Sequence, residues 1–421
     1  MSDARYQPLP GFRDFTPREY ALRAYLFNAW RSVAHRYGFV EWEAPTVEPT
    51  DLYLKKSGGE LPTQLFRFKD QGERDISLRP ELTASLGRMV AACHLDYNKP
   101  LKWYEIGSCF RYEKPQKGRL REFVQLNADI LGEGSEGADA ELLALAIDCM
   151  RELGFTADDF VVRVSDREVW LRFAADHGIP EERTPDFLSV VDKYERDRPE
   201  VCSEKLAAFG LTREELVSFI QNPPAGISPR FDAVLADLQA RGLADYVQLD
   251  LCVVRGLAYY TGLVFEIFDK AHSLRAVAGG GRYDRLVETL SDGSVKMAAT
   301  GFAMGDAVIA HLIDSCPAAR ALRDAALQPN TCDVFLALAA PEMRPQMLRV
   351  ATSLREAGLR VDLPLAPAKL AKQLRHAERL GATYAAVIGA EFPAVELKHL
   401  ASRTSQQLQA GELAAALTRQ S

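Results

Sequence analysis

Between residues 101 and 131 apolar and polar side chains alternate at the two-residue period of a β-strand. In the first half Glu105, Gly107, Cys109, Arg111 and Glu113 fall on one face, and Tyr104, Ile106, Phe110 and Tyr112 on the other. In the second half Val124, Leu126, Ala128 and Ile130 face a core, leaving Arg121, Phe123, Gln125, Asn127 and Asp129 in a row opposite. Pro115 and Gly118 interrupt the pattern between the halves, which predicts an antiparallel hairpin with one polar face. An ordinary surface hairpin also alternates. A solvated face, however, tends towards Lys, Glu and Thr, whereas this one mixes arginines, a ring, amides and carboxylates, a set suited to an anion, a flat ring and an amine.

Helical spacing governs other stretches. Thr16, Pro17 and Glu19 form a capping box with proline at the first helical position, and Leu22, Tyr25, Leu26, Ala29, Trp30 and Val33 follow at helix period before Gly38 ends the run. Pro80 disfavours helical geometry at Arg79, so Glu81 and Thr83 are expected at a turn or helix start, where carboxylate and hydroxyl can accept hydrogen bonds from an ammonium group. A helix is expected from Asp139 to Leu153 and a strand over 160–166. Residues 168–248 read as polar, irregular helix broken at Asn222, Pro223 and Pro224. From about Cys332, strand-like runs at 332–339, 359–365 and 384–390 alternate with helices at 342–357 and 367–380, which implies right-handed parallel crossovers, and a last helix is expected over 406–420.

A chain of 421 residues exceeds one core and suggests two or three domains. With 47% hydrophobic and 26% charged residues it reads as globular, and it holds no apolar run of the roughly 20 residues a membrane span needs. The N-terminal stretch lacks a signal-peptide core, so a cytoplasmic location is expected. Seven scattered cysteines without a CxxC pair point to reduced thiols and no zinc site. The net charge of −7 does not advertise a nucleic-acid partner, yet Lys114, Lys117, Arg119 and Arg121 concentrate positive charge on the hairpin loop.

Several of these segments resemble one family. Phe110-Arg111-x-Glu113, the loop KPQKGR and the return Arg121-x-Phe123-x-Gln125 look like motif 2 of class II aminoacyl-tRNA synthetases, in particular those for histidine. Residues 39–53 resemble motif 1, residues 78–83 the LRPE-x-T signature, residues 254–262 and 279–284 the two histidine-specific signatures, and residues 301–305 the start of motif 3. Lys372, Tyr384 and residues 387–391 are similar to the anticodon-binding domain of several class II enzymes. The likeness implies an α+β catalytic domain over 1–325, with an antiparallel sheet flanked by helices and a helical insertion at about 168–248. It implies a C-terminal α/β domain over 326–421.

The activity implied is ATP-dependent activation of L-histidine and its transfer to tRNA(His) by a homodimer, with Mg²⁺ on the β- and γ-phosphates and no protein metal site. By the same resemblance Arg111 and Arg255 grip the α-phosphate as catalytic residues, and Glu113, Arg119 and Phe123 join Arg111 around ATP. Histidine is assigned to Glu81, Thr83, Gln125, Asp129, Arg255, Tyr259, Tyr260 and Tyr283, and the tRNA acceptor end to Gln116 and Arg119. The chain departs from the family pattern twice: Val308 stands where motif 3 commonly carries an adenine-covering arginine, and Ala258 where many members have aspartate. Competing readings are the synthetase-like regulatory subunit of ATP phosphoribosyltransferase, another class II synthetase, and a tRNA-binding module without catalysis. Arg111, Glu113 and Arg255 together with a terminal α/β domain weigh against the first and third, and the two histidine signatures against the second.

Overall fold

The alternating stretch folds into two ten-residue antiparallel strands, with Gly107 opposite Gln125 and Cys109 opposite Phe123. The structure is a computed structural model and describes residues 6–56, 61–114, 118–194, 197–254, 260–271, 275–327 and 332–418. It divides into two compact units, Met1–Ala326 and Leu327–Ser421.

In the first unit the strands are β1 (Val40–Glu41), β2 (Val47–Pro49), β3 (Arg67–Lys69), β4 (Asp75–Leu78), β5 (Leu101–Phe110) and β6 (Glu122–Leu131). They continue with β7 (Phe160–Asp166), β8 (Val247–Leu249), β9 (Leu263–Asp269), β10 (Ala278–Arg282) and β11 (Ala299–Gly305). The main sheet runs β1-β5-β6-β11-β10-β9-β7-β8. From β5 to β7 all neighbours are antiparallel, and β1 and β8 join the edges in parallel, so the expected antiparallel sheet carries two parallel margins. Alternation sends Leu126, Ala128 and Ile130 to one face, under the helices Pro17–Arg36, Glu136–Glu152 and Pro229–Ala240. The first of these starts as its capping residues require, with Thr16 N donating to Glu19 Oε2 at 2.9 Å, and Gly38 follows its end with φ of 74°.

Register explains the other face. Across the sheet Asn127 lies opposite Ala303, Ala303 opposite Gly279, and Gly279 opposite Glu266. The adjacent row runs from Asp129 through Gly301 to Gly281. The middle of the floor therefore carries nothing larger than a methyl group. The glycine triplet Gly279-Gly280-Gly281 sits inside β10, where a Cβ on Gly280 would stand 2.2 Å from the Gly301 carbonyl oxygen.

Helices Arg167–Asp176, Thr184–Lys193, Pro199–Ala207 and Arg213–Gln221 enclose a core of their own around Trp170, Phe173, Phe187 and Leu216. The last of them ends just before the Asn222-Pro-Pro break. Arg230, on the following helix Pro229–Ala240, donates from Nε to Asp139 at 2.8 Å, and Arg282 lies 2.8 Å from the same carboxylate. Arg282 thus points behind the sheet as an anchor, although it belongs to the GGGRYD stretch.

The second unit holds β12 (Val334–Leu338), β13 (Val361–Asp362), β14 (Tyr384–Ile388), β15 (Ala394–His399) and β16 (Thr404–Gln409), ordered β13-β12-β14-β15-β16. β12 pairs in parallel with β13 and β14, as the alternation with helices predicts. The last helix is shorter than expected. Residues 404–409 form an exposed edge strand on β15, entered through Arg403 at φ of 56°, and the helix covers only Leu413–Thr418. TSQQLQ offers no apolar helical face to bury, so ladder hydrogen bonds decide its state. Among the described residues no helix is long and apolar enough to cross a membrane.

A close approach of this kind makes a stability prediction. Gly280→Ala should lower the urea-unfolding free energy by about 1–3 kcal/mol, because backbone must move. Gly137→Ala, within a helix and 3.7 Å from the nearest atom, should leave stability unchanged or raise it by up to about 1 kcal/mol.

Candidate active site

The hairpin is fixed in place by a buried arginine. Arg79 donates from Nε to the Ser108 carbonyl at 2.8 Å and from Nη1 to that of Ala44 at 2.9 Å, and its Nη1 lies 2.7 Å from Glu105. Phe110 N returns a hydrogen bond to the Arg79 carbonyl at 2.9 Å. These bonds lay the LRPE segment along β5 and end it at the helix Thr83–Cys93, so Glu81 and Thr83 stand at a helix start as Pro80 implied. Both are buried, at 7% and 8% exposure.

Arg111 leaves the end of β5 with its Nε donating to the Pro80 carbonyl at 3.0 Å and its guanidinium 5.2 Å from the centre of the Phe123 ring. Its Nη1 and Nη2 have no protein partner among the described residues. Glu113 pairs with Arg119 Nε. Asn127 Nδ2 donates to Thr83 Oγ1 at 3.2 Å, while its buried Oδ1 has no partner among the described residues. Tyr283 OH donates to Asp129 Oδ1. That pairing needs Gly301, where a Cβ would stand 1.8 Å from the same oxygen. Burial pushes the Cys109 thiol, beside Gln125, up to about 12, so it is no nucleophile at neutral pH.

A cavity of about 260 Å³ opens over this floor. Glu81, Thr83, Gln125, Asp129, Tyr260 and Tyr283 line one part of it, and Arg111, Glu113, Arg119 and Phe123 another. Ten of the residues singled out in the sequence are therefore brought together. Arg255, Tyr259 and Gln116, and with them Ala258, lie outside the described residues. Val308 is on the wall, half-buried. The structure adds Asn127, Glu266 and Asp306 to the lining. Asn127 stood in the polar row without a role, and Glu266 interrupts the apolar run VFEIF as a lone carboxylate. Nothing local in the sequence marks Asp306.

Such a sheet, with its long hairpin and small-residue floor, has the architecture of a class II aminoacyl-tRNA synthetase. The histidyl-tRNA synthetase profile matches residues 11–307, and an anticodon binding domain profile matches residues 333–420. The chain is 39% identical to a histidine–tRNA ligase of Opitutus terrae over 95% of each. It superposes on a crystal structure of histidyl-tRNA synthetase from Nostoc sp. PCC 7120 with a TM-score of 0.78, 25% identity and 99% of each chain covered. It shares its fold with an ATP phosphoribosyltransferase regulatory subunit/histidyl-tRNA synthetase from Bacillus halodurans at a TM-score of 0.73 and 22% identity, over 92% of this chain and 99% of that one. The chain belongs to the histidyl-tRNA synthetase family.

The hairpin anchor carries its own pH signature. Burial pushes Glu105 up to about 7 from 4.5, against the pull of Arg79. A carboxyl whose pKa is raised by folding adds stability that is fully present below its unfolded pKa and lost as pH rises through the folded one. Between pH 4.5 and about 7 the wild type should therefore lose urea stability relative to Glu105→Gln. Parallel pH profiles of the two proteins would contradict this.

Proposed function

We propose that the chain activates L-histidine with ATP and transfers it to tRNA(His), and that the cavity over the hairpin floor is where both steps occur. The observation that carries this is the orientation of Arg111. Its Nε is spent on the Pro80 carbonyl, which leaves a planar pair of donors beside the acceptors Glu81 and Thr83. Activation brings a carboxylate against the α-phosphate, so the protein's work is positioning and neutralising charge. A guanidinium fork fits phosphate and carboxylate oxygens alike. In this reading Arg111 holds the α-phosphate from one side and Arg255 from the other, Phe123 stacks on adenine, and Glu113 meets its edge.

Histidine enters with its ammonium at Glu81, Thr83 and Gln125 and its ring towards Asp129, Tyr260 and Tyr283. The Tyr283–Asp129 hydrogen bond orients the carboxylate for an imidazole N–H, which discriminates against side chains without one. Mg²⁺ comes with the nucleotide, on the β- and γ-phosphates of ATP. Gln116 and Arg119 on the hairpin loop take the acceptor end. The C-terminal unit takes the anticodon arm, supported by exposed Lys372, Arg375 and Arg379 on the helix Leu370–Arg379.

The reading includes a homodimer in the cytoplasm, supported by the exposed Val40 on the short edge strand β1 and by exposed Leu95 and Tyr97. A regulatory subunit has no need of an arginine fork facing an ammonium site, which leaves that alternative weaker. The test is pyrophosphate exchange into ATP with each amino acid in turn. Only histidine should support exchange, and Arg111→Ala should lower kcat/KM by about 10²–10³-fold. Asp129→Asn should raise KM for histidine more than KM for ATP. A folded protein that binds tRNA but shows no histidine-dependent exchange would overturn the reading.

A further inference from the structure

Val308 leaves the nucleotide end of the cavity without the arginine that motif 3 usually supplies. That end is fixed by the start of the helix Asp306–Ser315. Asp306 Oδ1 accepts the Val124 N–H at 3.0 Å, next to Phe123, and a Cβ on Gly118 would stand 3.6 Å from Val308 Cγ2. Residues 305–308 therefore run against the hairpin loop and its return strand. The other Asp306 oxygen accepts from Arg13 Nη2 at 2.8 Å, so both are taken.

Among the described residues three arginines line the cavity: Arg111, Arg119 and Arg275. Arg111 is aimed by the Pro80 carbonyl and Arg119 pairs with Glu113, whereas Arg275 belongs to none of the sequence signatures and is exposed. Gly305 N donates to the Val277 carbonyl at 3.3 Å, which carries the β10–β11 pairing one step past Ala278 opposite Met304. Gly305 in turn lies opposite Gln125, so Gln125, Gly305 and Val277 form one row across the floor. Two residues before Gln125 is Phe123, and two residues before Val277 is Arg275. Alternation keeps each on the cavity side, and all four line it. Phe123 and Arg275 thus flank the nucleotide end two strand spacings apart, about 10 Å. A flat ring in contact with both, at about 3.5–4 Å on each face, needs roughly 7–8 Å, and the long arginine side chain can close the rest.

We propose that Arg275 covers the face of the adenine ring opposite Phe123, and so makes from the β10 side the contact that Val308 cannot. This deepens the synthetase reading of the site and rests on it. A guanidinium presents its N–H donors at the edge and its π-face above and below, so hydrogen bonds at the edge leave a face for the ring. A cation over an aromatic face is attractive, and more so as water is excluded.

The test is pyrophosphate exchange, with adenosine as a competitive inhibitor against ATP, and melting temperature, measured on wild type, Arg275→Ala and Arg275→Lys. Arg275→Ala should raise KM for ATP and the inhibition constant of adenosine by the same factor, about three- to tenfold. KM for histidine and the melting temperature should stay as in wild type. Arg275→Lys, which keeps the charge and loses the planar face, should recover only part of the loss. The proposal is overturned if wild type is active and Arg275→Ala leaves KM for ATP unchanged, or raises it while adenosine inhibits as before, which would put the contact on the phosphates. It is overturned equally if both KM values rise alike together with a lowered melting temperature. An inactive wild type would instead remove the functional reading itself.

Discussion

The site depends on a strip of sheet that has almost no side chains. A sheet face of ordinary composition would fill the space above β10 and β11 with branched residues. Here Ala303, Gly301, Gly279 and Gly281 hold that space open, between Gln125, Asn127 and Asp129 on one flank and Glu266 on the other. Openness alone would cost stability, since glycine in a strand packs little and loses more entropy on ordering. The compensation lies behind the sheet, where Leu126, Ala128, Phe302 and Met304 are buried under helices. A strongly packed back thus permits a nearly bare front.

Arginines show how the same side chain is put to opposite uses. Arg79 and Arg282 are 4% and 2% exposed, and each meets a carboxylate and main-chain carbonyls. A buried guanidinium is tolerable only when its charge is paired and its donors are occupied, and in both cases they serve as bolts. Arg111 is half-buried and partly satisfied, with one nitrogen used to aim the rest. The difference follows from strand alternation and neighbouring carbonyls. The residue type does not decide it.

What was legible in the chain was what local chemistry fixes. The two faces of the hairpin followed from a period of two, and the first helix from Thr16, Pro17 and Glu19, all within a few residues of one another. The strand Thr404–Gln409 was illegible because its polar residues have no preference that outweighs the ladder offered by β15. The Arg13–Asp306 pair joins residues 293 apart, and no window of sequence contains both partners. Arg282 shows that a signature need not place all its residues at the site. It immediately precedes Tyr283, which turns to the cavity, so alternation sends Arg282 to the opposite side of the sheet. Order and spacing of signatures carried the family assignment, which single motifs would not have done.

The Asn127 oxygen, which has no partner among the described residues, links the fold to its proposed substrate. A buried acceptor without a donor costs about 1–3 kcal/mol, and an apolar residue of similar size would avoid that cost. The donor end of the amide already holds Thr83, so the oxygen is presented in a fixed direction. Glu81 and Gln125 line the same cavity. An ammonium group has three N–H donors and no acceptor, so in the proposed reading it complements a ring of oxygens, whereas the phosphates of ATP carry only acceptors. On the proposed reading, a bound α-ammonium would relieve the local penalty at Asn127, which favours the amino acid over the triphosphate at this end of the cavity. Under that reading, the direction in which the fold presents the Asn127 oxygen, and not the residue type alone, would separate two substrates that share one floor.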